Sequence, residues 1–255
     1  MRILKDFKIP DFKFPKFKMK EISEIDEVKV DYEAVKKAEE NQKKKEHKNY
    51  EGTHYNTIKE AFEYSTEKFA NNTFLLEKTD HKGKWIETTY SEFKDEVIGL
   101  GTALIRKLGL KDTRIAIIGE NTHYWYTAYM TMLCGVGIAV PIDKELPENE
   151  IENVLKRSKA SAVIFSKKKE EVIKRVAQNL PDVKYFIEMN SDSSLEDRFV
   201  GIEHLIEEGK TLVKNGDDSY MKIEIDPDEF KVLLFTSGTT SNAKGVMLCN
   251  RNLAQ

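Results

Sequence analysis

The chain of 255 residues predicts an α/β fold, a doubly wound, mostly parallel sheet with flanking helices, incomplete at its C-terminal side. Three observations predict it. Short apolar runs, RIAIIG, IAVPI, SAVIFS and VKYFIEM, alternate with stretches of helical period such as ENEIENVLKRS and EEVIKRVAQNL. None of these runs alternates polar with apolar residues as a half-exposed antiparallel strand would, so both faces of their sheet must be covered. The composition, 40% hydrophobic and 33% charged, is that of an ordinary globular protein large enough to build its own core.

The elements follow in chain order. Residues 1–52 read as an arm and a linker set apart from the rest. Phe7, Phe12, Phe14 and Phe17 are interleaved with Lys5, Lys8, Lys13, Lys16, Lys18 and Lys20, and Pro10 and Pro15 oppose a regular helix. Two readings stand for this arm: peripheral contact with an anionic membrane surface, or a terminus packed loosely on the domain. The mixed-charge run DYEAVKKAEENQKKKEHK that follows reads as a solvated helix or linker.

From residue 53 onward the pattern is globular. Thr57 and Glu60 have capping-box spacing, and Ile58, Ala61, Phe62, Ser65 and Phe69 fall on one helical face. FLLEK and KWIETT around TDHKG read as a hairpin. A helix is expected from Ser91 to Leu108, with Phe93, Val97, Leu100 and Leu104 on its apolar face. The alternating strands and helices come next. NSDSSLED reads as a surface loop, IEHLIEEGKTLVKNG as a helix, and FKVLLF as a strand.

Charge and cysteine usage exclude several function classes. A formal net charge of -3 opposes a protein built around nucleic acid. Two cysteines, Cys134 and Cys249, form no disulfide framework, and the histidines show no zinc spacing, so a reducing cytosol is the expected setting. Cys134, Trp125 and the tyrosines 124, 126 and 129 read as core or packing residues, Gly135 and Gly137 as a helix end, and Asp143–Glu145 as a surface turn.

The chemistry concentrates in LLFTSGTTSNAKGVML. Thr236, Ser237, Gly238, Thr239, Thr240, Ser241 and Lys244 bring hydroxyl donors, permissive glycine backbone and one cation between two apolar strands, a composition suited to holding an anion such as a triphosphate. A plain Ser/Thr-rich hairpin explains the polarity but not the lone lysine. The G-x-x-x-x-G-K-S/T loop of kinases fits the spacing from Gly238 to Lys244, but Ala243 stands for its second glycine and Gly245 for its hydroxyl residue.

The segment resembles the T-S-G-T-T-G-x-P-K-G-V signature of the adenylate-forming superfamily, with Ser241 where glycine is commonest and Ala243 where proline is. The stretch from TYSEFKDEV through SAVIFS is similar to the N-terminal region of these enzymes, most of all to bacterial long-chain fatty-acid CoA ligases. GVMLCNRN departs from their common G-V-x-x-S-H-x-N at Cys249 and Asn250. The resemblance implies ATP-dependent activation of a fatty acid to an acyl-adenylate, then a thioester with coenzyme A. It assigns Thr236, Ser237, Gly238, Thr239, Thr240 and Lys244 to the ATP phosphates and implies magnesium, with no ligand identifiable. The adenine motif, ribose-binding aspartate and catalytic lysine of such enzymes follow this loop, so no catalytic residue is expected before Gln255, and the chain is expected to be inactive alone and to need its C-terminal domain. The competing expectation is a non-catalytic scaffold that keeps the fold.

Overall fold

In the computed structural model, which describes residues 54–78, 83–236 and 244–254, Thr57 opens helix α1 (Ile58–Lys68) for a local reason. Its hydroxyl accepts the Glu60 N–H at 3.1 Å, satisfying one of the four unpaired donors of the first turn. The reciprocal half of the box is absent, because the Glu60 carboxylate accepts from the Asn56 N–H at 2.8 Å instead. Phe62 is buried as expected; Phe69 is exposed because it lies beyond the last turn, at the C-cap. The arm and linker at 1–52 lie outside the described residues, which all belong to one compact unit, Thr53–Gln255.

Strands β1 (Thr73–Lys78) and β2 (Trp85–Thr89) pair antiparallel, as the hairpin pattern predicts, and most of the intervening turn lies outside the described residues. Helix α2 (Tyr90–Arg106) follows at once, fixed by a complete capping box in which Thr89 and Glu92 exchange side-chain and backbone bonds. Phe93, Val97, Leu100 and Leu104 are buried along one stripe of it.

The remaining strands are β3 (Thr113–Ile118), β4 (Gly137–Ile142), β5 (Ala162–Phe165), β6 (Tyr185–Glu188), β7 (Phe199–Gly201), β8 (Phe230–Thr236) and β9 (Lys244–Cys249). They form one sheet in the order β7-β6-β5-β3-β4-β8-β9, parallel throughout except for the β8–β9 pair. The chain crosses from β4 back over β3 to β5, so the winding reverses beside β3. Helices α3 (His123–Thr131), α4 (Glu148–Ser158), α5 (Glu170–Ala177) and α6 (Ile202–Lys214) supply the cover. Residues of α1, α2, α3 and α6 share one apolar cluster with one face of the sheet, and those of α4 and α5 share a second cluster with the other. Ile115 to Ile118 are wholly buried between the two, as a strand covered on both faces must be.

Two features were not readable from the pattern. β7 is three residues long, too short for any period, and completes the edge of the sheet after the polar loop that precedes it. The segment after α3 winds as a π turn, Met132–Val136, kinked at Gly135, whose φ of +147° turns the chain toward β4. On the α2 side of the sheet the covering helices α2 and α6 cross at glycines: a Cβ on Gly209 would lie 1.7 Å from the Gly99 carbonyl oxygen.

Candidate active site

β8 runs parallel to the central strands, so Thr236 at its end reaches the carboxyl edge of the sheet, where α/β folds place ligands. Val232 and Leu233 are buried and hold the strand down, and the Arg157 guanidinium lies over the Phe235 ring at 5.3 Å, bracing the strand just before its exit. β9 returns from the same edge. Thr236 and Lys244 are partners in the β8–β9 ladder, and the Thr236 hydroxyl donates to the Lys244 carbonyl oxygen at 3.5 Å. Both residues are exposed at that edge. A Cβ on Gly245 would come within 3.1 Å of Leu233 Cδ1, so glycine lets β9 lie close to β8 there. Ser237, Gly238, Thr239 and Thr240, with Ser241 to Ala243, lie outside the described residues.

Other loops meet the same edge. Burial drives the Glu120 carboxyl up, but the Ser166 hydroxyl and a backbone N–H close to it, with Lys168 and Lys144 nearby, leave it below its ordinary value. Asp143 accepts the Glu145 N–H at 2.9 Å, the surface turn the sequence suggests. A separate cleft of about 540 Å³ is lined by Glu77, Glu87, Glu92, Asp95, Glu96 and Glu203 against Lys210, with His123 bonded to Glu96. Its charge opposes a polyphosphate. The cation of the β8–β9 turn suits one.

The remaining sequence candidates fall into place as packing. Tyr124, Trp125 and Tyr129 lean on the core, whereas Tyr126 is exposed. The Tyr124 hydroxyl donates to Glu203 at 2.9 Å; burial and that carboxylate push its pKa well above the ordinary tyrosine value. Cys134 is buried, and burial pushes its thiol far up, so it is an inert core group. No group of three or more His, Cys, Asp or Glu side chains able to hold a metal ion occurs among the described residues. Sequence reasoning marked Asn250 as a departure from the family form without a role; the structure buries it fully. Its signal was visible only as a departure from G-V-x-x-S-H-x-N.

Comparison with known proteins completes the assignment. Residues 62–255 match the family model described as AMP-binding enzyme. The chain belongs to the AMP-binding enzyme family. It is 28% identical over 203 residues to Long chain acyl-CoA synthetase 4 of Arabidopsis thaliana, covering 76% of this chain and 30% of that one. It is 31% identical over 187 residues to Long-chain-fatty-acid--CoA ligase 5 of Rattus norvegicus, covering 69% of this chain and 26% of that one. Among solved structures, a red emitting luciferase from Phrixothrix hirtus superposes with TM-score 0.66 at 21% identity, over 80% of this chain and 38% of that one. That likeness is one of fold. This AMP-binding chain thus spans under a third of the length of those two ligase relatives.

Proposed function

We propose that this chain is the N-terminal part of a long-chain fatty-acid CoA ligase: residues 53–255 open its adenylation domain, and residues 1–52 are an appended arm. The observation that carries the reading is the alcohol- and glycine-rich turn with Lys244 between β8 and β9. The chemical problem is one of charge, since a carboxylate must attack the α-phosphate of ATP and expel pyrophosphate. Ser237, Thr239 and Thr240 donate hydrogen bonds to the β- and γ-phosphates, Thr236 turns its hydroxyl from the Lys244 carbonyl to join them, Gly238 lets backbone N–H groups approach, and Lys244 neutralises the departing pyrophosphate. The acyl-adenylate then passes its acyl group to the thiol of coenzyme A, releasing AMP. No step is routed through magnesium. The relatives named as long-chain acyl-CoA synthetases and ligases support the substrate class. Turnover requires the parts of the enzyme that correspond to the rest of those relatives.

The test is ATP binding and ATP-dependent thioester formation by the intact protein, compared with Lys244→Ala and Thr239→Ala. Each substitution is expected to weaken ATP binding about tenfold or more, because a hydrogen bond to a charged partner contributes about 1.5–3 kcal/mol. Unchanged affinity and activity in both variants would remove the turn from the site.

A further inference from the structure

Asn250 is 0% exposed, yet an amide is costly to bury unless both its donor and its acceptor are used. Both are. Its Oδ1 accepts the N–H of Ile58 at 2.7 Å, one of the unpaired donors of the first turn of α1, 192 positions away in the chain. Its Nδ2 donates to the Leu133 carbonyl at 3.4 Å, inside the π turn. Its own N–H donates to the Glu229 carbonyl at 3.3 Å, and the next residue, Arg251, bonds Pro227 through the backbone at 2.7 Å. Arg251 also grips Asp228 through two bonds of 2.8 and 3.0 Å.

This cluster sits where β9 ends and helix α7 (Asn250–Ala254) begins. β9 is an edge strand with one partner, β8. Its ladder has a bulge between Phe230 and Val232, opposite its far end, and pairing resumes at Phe230 and Cys249. The Asn250 side chain fills the role that a second neighbouring strand would have, tying β9 to α1 and to the π turn. Six residues upstream, the same strand begins at Lys244.

We infer that Asn250 is a positioning residue: it fixes β9 against the body of the fold and so sets where Lys244 meets the nucleotide phosphates. The inference rests on the ligase reading above. In this reading position 250 acts through the fold, since its side chain is buried and bonded through both its oxygen and its nitrogen.

Chemistry selects the variants. Asn250→Asp keeps the acceptor for Ile58 but turns an oxygen toward the Leu133 carbonyl. Asn250→His restores one acceptor and one donor on a flat ring, so it is the conservative replacement. In the intact protein, Asn250→Asp is expected to weaken ATP binding about fivefold while leaving AMP binding unchanged, because AMP lacks the phosphates the turn would hold. Asn250→His is expected to recover most of the ATP affinity. Amide hydrogen exchange at Ile58 reads the latch without nucleotide and is expected to speed up in Asn250→Leu, which removes the acceptor at similar volume. If Lys244→Ala weakens ATP but Asn250→Leu, with its Ile58 amide released, binds ATP as before, the positioning role is refuted. If AMP and ATP weaken equally in Asn250→Asp, the residue supports the fold alone and the role is likewise refuted. If Lys244→Ala itself leaves ATP affinity intact, the phosphate reading fails instead.

Discussion

Thr89 carries two jobs at once: it ends the β1–β2 ribbon and caps α2. Its hydroxyl and backbone N–H hold the Glu92 carboxyl below its ordinary value of 4.5. A carboxyl whose folded pKa is depressed contributes stability that is full above pH 4.5 and is lost as pH falls through the lower folded value. Asp217, held down by Ser219 and Arg106, and Asp228, held down by Arg251, act in the same direction. Melting temperature is therefore expected to fall steadily below pH 4.5. Thr89→Ala is expected to lower stability by about 1 kcal/mol at neutral pH and to flatten part of that acid slope. Thermal melts of both proteins and of Glu92→Gln from pH 7 to about pH 3 check this, and an unchanged slope in Glu92→Gln would remove Glu92 from the account. This capping box was legible as residue types in the sequence; the half-box at Thr57 was equally legible and only half forms, because Asn56 competes for Glu60.

Among the elements, α2 and α6 show how closely the layer over β3 and β5 is built. Gly99 and Gly209 let the two backbones touch, and Gly101 receives the Tyr220 ring, whose hydroxyl donates to the Thr131 carbonyl at 3.1 Å. A methyl at Gly209 has backbone in front of it rather than a flexible side chain, so the helices must separate. Gly209→Ala is expected to cost about 3 kcal/mol in a denaturant titration, against about 1 kcal/mol for Gly216→Ser, where open space leaves only the strain of a side chain at φ +94°. A neutral Gly209→Ala would show that the helix pair has slack. Helical period in the sequence located both helices, but their crossing was invisible: glycine inside an amphipathic stripe reads as a weak helix former, and only the partner helix explains it.

At the scale of the whole molecule, stability is expected to be graded from the sheet centre to its β9 edge. β3 and β5 are buried on both faces, whereas β9 leaves Val246 and Met247 exposed. Amides of β3 and β5 are expected to exchange only through global unfolding, and those of β9 fastest among the strands of the large sheet. ATP is expected to slow β9 selectively; uniform protection across the sheet would argue against a phosphate site at its edge. By itself the sequence determined the order of most strands and helices, the parallel core and the segment we propose holds the phosphates, because periodicity and local composition act within a few residues. Tertiary structure decided what depends on distant partners. It set the strand order and the reversal beside β3, and it recruited three residues as strand β7. It also brought Ile58 and Leu133 to Asn250, because a buried amide can be satisfied only by whatever the folded chain places against it.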